Sequence, residues 1–121
     1  MKKEYKKPTM QRDDLYPATE ELEEMGEQNN KYHTNPEFVC RKVGEEFILI
    51  PIGKMAEEFN GLASLNDTGV FLWNLLSEGK HSLRFLISRF AQEYDLSAGQ
   101  STTDVLDFME AACAKKLVLI C

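Results

Sequence analysis

Apolar residues are sparse over the first 35 positions and then recur with two different periods. Glu37 to Val43 and Glu46 to Ile52 are rich in Phe, Val and Ile and flank the short connection Val43-Gly44-Glu45-Glu46, which predicts a β-hairpin. The run Phe47-Ile48-Leu49-Ile50 is apolar on both faces, so one face covers helices and the other calls for a tail segment, a neighbouring subunit or a ligand. Pro51 cannot donate a ladder hydrogen bond and places the end of that strand at an edge or a bend. Phe59 to Leu65 alternates Phe59, Gly61, Ala63 and Leu65 against Asn60, Leu62 and Ser64, the pattern of a third, weakly apolar strand. Its small side chains let a second backbone come close; a poor edge strand leading into a helix explains them equally.

From there the period lengthens to that of helices. Asn66 or Asp67 caps a first helix, whose run Val70-Phe71-Leu72-Trp73-Leu75-Leu76 is apolar over a wide arc until Gly79. Ser82 opens a second, with Leu83, Leu86, Ile87, Phe90 and Tyr94 at helical spacing. A third starts at Ser97 or Ser101, both of which have capping-box spacing, and runs to about Lys115 with Val105, Phe108, Met109 and Ala112 as its apolar side. Leu117 to Ile120 closes the chain as a short strand or an extended end on the core. The predicted class is α+β, a small winged-helix-like domain in which a three-stranded antiparallel sheet is followed by three helices.

Composition divides the chain at the same place as the pattern. Of the first 35 residues 9 are hydrophobic, against 43 of the remaining 86, so only the second part builds a core. Residues 1–35 read as an acidic, flexible tail and residues 36–121 as the domain. Within the tail, Thr19 to Met25 has the spacing of a transient helical turn, or of a solvated linker. The net charge of −6 is shared by both parts, and neither offers the clustered Lys and Arg that phosphate neutralisation requires, so nucleic acid and anionic membrane are disfavoured as partners. No run approaches the ~20 apolar residues of a membrane span and no signal peptide is evident, which suggests a cytoplasmic protein.

Candidate chemistry is thin. His33 and His81 lie in polar surroundings without a paired nucleophile. Cys40, Cys113 and Cys121 are widely spaced, form no C-x-x-C and suggest neither a disulfide framework nor a metal site. The glycines are isolated, so no phosphate-binding loop is present. No catalytic residue, metal or cofactor is expected.

Phe59-Asn60-Gly61-Leu62-Ala63-Ser64-Leu65-Asn66-Asp67-Thr68-Gly69-Val70-Phe71-Leu72-Trp73 resembles the strand-to-helix signature of the PqqD-like family, the peptide-recognition domains named after protein D of pyrroloquinoline quinone biosynthesis. Gly79, Glu93-Tyr94-Asp95, Asp104-Val105 and Phe108 follow in the family's order, so the resemblance spans Phe38 to Ile120. It implies a noncatalytic module that binds the leader of a ribosomally made precursor peptide by strand addition and presents it to a modifying enzyme, often a radical S-adenosylmethionine maturase. Carried onto this chain, it places the peptide along the edge Asn60, Gly61, Leu62, Ala63 and Ser64, in a groove bordered by Leu106, Met109 and Cys113 of the third helix. Those three helix positions are explained as well by an ordinary core. The family usually has a glycine just after the third helix; Lys116 stands there, which predicts an end without a left-handed cap.

Two other classes compete. A winged helix suggests a DNA-binding regulator, although Asp104, Asp107 and Glu110 on the third helix would repel phosphates. A self-associating scaffold, a homodimer formed through the doubly apolar second strand, is the other.

Overall fold

The computed structural model describes residues 5–12, 30–58 and 63–120. The expectations for Thr19 to Met25, for Phe59 to Leu62 and for Cys121 fall outside them. In chain order the elements are β1 (Met10–Arg12), β2 (Lys31–Thr34), β3 (Phe38–Val43), β4 (Glu46–Pro51), α1 (Met55–Glu58), β5 (Ala63–Leu65), α2 (Asp67–Glu78), β6 (His81–Ser82), α3 (Leu83–Tyr94), α4 (Ala98–Ala114) and β7 (Val118–Ile120).

Two antiparallel sheets result, one in the order β1-β5-β4-β3 and a smaller one in the order β6-β2-β7. The fold is α+β. The hairpin β3–β4 pairs Val43 with Glu46 across a two-residue loop, and Gly44 adopts φ +64°, which a glycine at the first loop position supplies without steric cost. β4 turns Leu49, fully buried, toward the helices. The next residue, Ile50, points to the other face and is exposed together with Val43 and Ile52.

Each long helix begins at a side-chain cap. Asn66 Oδ1 accepts from the Gly69 N–H at 3.0 Å, Ser82 Oγ from Phe85 at 3.1 Å and Ser97 Oγ from Gln100 at 3.1 Å. Ser97, not Ser101, therefore opens α4. Ser101 lies buried inside the helix and its hydroxyl donates to the Ile87 carbonyl at 2.7 Å, tying α4 to α3. Val105, Phe108, Met109 and Ala112 form the buried stripe of α4, against Leu72, Trp73 and Leu76 of α2 and Leu86 and Phe90 of α3 in one core.

The second sheet lies partly in the stretch read as a tail. Lys31–Thr34 is its central strand, pairing Tyr32 with both His81 and Ile120. Only Tyr32 in this strand is a large apolar residue, and it is fully buried. One residue in four leaves no period to read, so the strand forms on tertiary pairing and not on pattern. Asn35, also buried, joins this strand to the end of α4: its Nδ2 donates to the Lys116 carbonyl and its backbone N–H to the Leu117 carbonyl, each at 2.9 Å.

The end of α4 departs from expectation. Lys116 adopts φ +61°, its N–H donates to the Cys113 carbonyl at 3.0 Å, and the Leu117 N–H donates to the Ala112 carbonyl at 2.9 Å. That pair of bonds is a complete left-handed cap, formed here by a lysine. Side-chain sterics in this region oppose the conformation, and burial of Leu117 together with the Asn35 bonds holds it. Lys116→Gly is accordingly expected to raise the unfolding free energy by about 0.5–1 kcal/mol, read as a higher urea midpoint at unchanged slope.

Candidate functional site

β5 is three residues long and has two neighbours. On one side it pairs with β4, Ala63 facing Leu49, and on the other with β1, in the register Met10 with Leu65, Gln11 with Ser64 and Arg12 with Ala63. The edge expected to stand open is thus occupied by the chain's own N-terminal segment. The reason is visible just upstream of the ladder, where the segment's backbone is gripped by the start of α2.

Asn66 carries most of that grip. Its Oδ1 accepts from the Thr9 N–H at 2.9 Å while still capping Gly69, and its Nδ2 donates to the Lys7 carbonyl at 2.8 Å. The Thr68 hydroxyl donates to the Lys6 carbonyl at 2.6 Å, and the Asn66 N–H reaches the Thr9 carbonyl at 3.4 Å. All of these touch main-chain atoms of the segment, so they would hold any extended peptide equally well. Gly69 makes the approach feasible: a Cβ there would lie 2.9 Å from the Thr9 carbonyl oxygen and 3.3 Å from the Phe108 ring.

On the other wall the contacts are made by side chains. The Tyr5 ring meets Phe90 edge-on at 5.9 Å and lies 5.5 Å from Tyr94, while Phe71 closes the cluster at 5.6 Å from Tyr94. The Tyr5 hydroxyl donates to Asp104, a carboxylate only 1% exposed that also accepts from Gln100 Nε2 at 2.7 Å. Burial first, and then the hydrogen bond to Asp104, push the Tyr5 phenol well above the usual tyrosine range. Burial likewise raises the Tyr94 phenol, with the Glu93 and Asp67 carboxylates adding to it. One turn along α4 the exposed Lys7 ammonium meets Asp107 at 2.5 Å. The bond to Asp107 raises the Lys7 pKa. Pro8 is buried. An open concavity of about 810 Å³ is lined by Lys6 and Thr9 together with Glu45, Glu46, Asp67 and Glu93.

Of the residues that the sequence assigned to a binding edge, Ala63 and Ser64 are in β5, while Asn60, Gly61 and Leu62 lie outside the described residues. Met109 and Cys113 are buried in the core and Leu106 packs against it. At about 100° per residue these three fall on the opposite flank of the buried stripe from Asp104 and Asp107, the positions of α4 that hold the segment. The bonds of Asn66 and Thr68 to the N-terminal segment were not legible, because capping a helix and gripping a neighbouring backbone need the same short polar side chains. No group of His, Cys, Asp and Glu among the described residues is arranged to hold a metal ion. Burial raises the Cys40 thiol pKa, the opposite of activation. No helix among the described residues is long and apolar enough to cross a membrane.

The family model of Coenzyme PQQ synthesis protein D (PqqD) matches residues 46–118, more than half of the chain and all of β4, β5 and the three long helices. The chain belongs to the PqqD family. The match takes in Asn66, Thr68, Gly69, Asp104 and Asp107, whereas the Tyr5 to Thr9 segment that they touch, and β1 after it, lie outside it. Comparison with curated proteins and with solved structures gives no match. A place among proteins associated with pyrroloquinoline quinone synthesis and peptide binding is what the family supplies.

Proposed function

We propose that this PqqD-family chain is a noncatalytic peptide-recognition module. It takes up the leader of a ribosomally made precursor as a strand beside β5 and presents it to a modifying enzyme, a radical S-adenosylmethionine maturase being the expected one. The observation that carries this reading is the occupied edge itself. β5 pairs with an added antiparallel strand, and Asn66 and Thr68 hold the residues leading into that strand through main-chain atoms alone. A leader taking the place of β1 would inherit the same bonds, the ladder supplying affinity and the Tyr94, Asp104 and Asp107 wall supplying selection. The peptide edge then runs through Ala63 and Ser64.

The test is titration of the isotope-labelled full chain with a leader peptide encoded beside it. Amide shifts are expected to concentrate at Ala63 to Leu65, at Gly69 and along the Asp104–Asp107 side of α4. Saturating peptide that leaves these amides still and perturbs another surface would exclude the site.

A further inference from the structure

The contacts made by the N-terminal segment are of two kinds. Those of the Lys6, Lys7 and Thr9 backbone and of the β1 ladder accept any sequence. Those of Tyr5 and Lys7 do not: a phenol is seated against Phe90 and Tyr94 with its hydroxyl on Asp104, and an ammonium sits on Asp107 two residues later. Asp104 is the demanding partner. It is buried, it accepts from Tyr5 and Gln100, and losing the Tyr5 donor would leave it beside an aromatic wall with less of its charge compensated. Whatever replaces the segment has to bring a donor to the same place.

We propose that Tyr5 to Arg12 is a resident strand that a guest must displace. The guest selected by the groove is an extended peptide with an aromatic hydrogen-bond donor, a cation two residues after it, and a strand-forming run downstream. This rests on the reading of the β5–α4 groove as a peptide site and adds to it a gate and a recognition chemistry. Seventeen residues tether Arg12 to Asn30, so the resident competes from a high local concentration, and a free peptide of equal intrinsic affinity is held off until the resident is weakened.

The probe is a fluorescently labelled synthetic peptide of residues 1–12, titrated into full-length protein with the native sequence, with Tyr5→Ala or with Lys7→Glu. The Tyr5→Ala protein is expected to take up the probe at least about tenfold more tightly than the native protein. Lys7→Glu, at an exposed position that leaves folding intact, is expected to gain roughly two- to fivefold. Against the Tyr5→Ala protein, a Tyr5→Ala probe is expected to lose at least about tenfold relative to the parent probe, and a Tyr5→Trp probe, which keeps a ring and a donor, to lose less. Equal uptake by all three proteins, with circular dichroism showing each one folded, overturns displacement. Equal binding of all probes overturns the recognition chemistry. A genomically adjacent leader that shifts the β5 amides at the same affinity in native and Tyr5→Ala protein also overturns this inference while leaving the peptide-site reading intact; the expected probe behaviour with no response to any leader supports the inference and removes the precursor as guest.

Discussion

Phe90→Ala is expected to lower the unfolding free energy by about 3–5 kcal/mol, a large part of the ~5–15 kcal/mol available to a domain of this kind. The ring is completely buried, with Tyr94 at 4.9 Å, Tyr5 at 5.9 Å and Phe71 at 6.2 Å between centroids. Alanine would leave a cavity under three rings, and the aromatic pairings would be lost along with the transferred area. Urea unfolding followed by tryptophan fluorescence measures the change, since Trp73 is in the same core. The loss should exceed that of Phe71→Ala, because Phe71 is only half-buried. A Phe90→Ala unfolding free energy within ~1 kcal/mol of the native value would mean that the ring does not anchor this cluster.

Gly69→Ala opposes two effects of known sign. Alanine in a helix is favoured over glycine by about 1 kcal/mol, and on that ground alone the variant should be the more stable. The new methyl group, however, would fall 2.9 Å from the Thr9 carbonyl oxygen and 3.0 Å from Asn66 Oδ1, and one of these is backbone with little room to move. Overpacking of this sort costs about 1–3 kcal/mol, so net destabilisation is expected. The damage should be local. Amide hydrogen exchange is expected to quicken at Met10 to Arg12 and on the β5 side facing them, while β3 and β4 keep their protection. A more stable variant with unchanged exchange in the segment would show that the close approach at Gly69 does not hold the strand.

The hairpin, the three long helices and the buried stripe of α4 were legible because each repeats its period over several turns or pairs, as Leu83, Leu86, Phe90 and Tyr94 do in α3. β1 and β2 were not, for a physical reason. Lys31–Thr34 contributes one core side chain, and Met10–Arg12 is held by a ladder to β5 and by the bonds of Asn66 to Lys7 and Thr9 just before it, all to partners more than fifty residues away in sequence. Backbone recognition leaves no mark on the recognised sequence. Of the candidate site, the strand at Ala63 and Ser64 was readable from its alternation, but the role of the α4 flank was not: Asp104 and Asp107 read as charges that repel phosphates until Tyr5 and Lys7 were placed beside them.

The antiparallel sense of β1 against β5 also fixes a polarity. A chain threaded in this direction enters beside the amino end of α2, at Asn66 and Thr68, and runs on to Ala63. On the proposed reading, cargo fused downstream of a strand in this sense would follow the Ala63 end of β5, and a processing enzyme would receive it there.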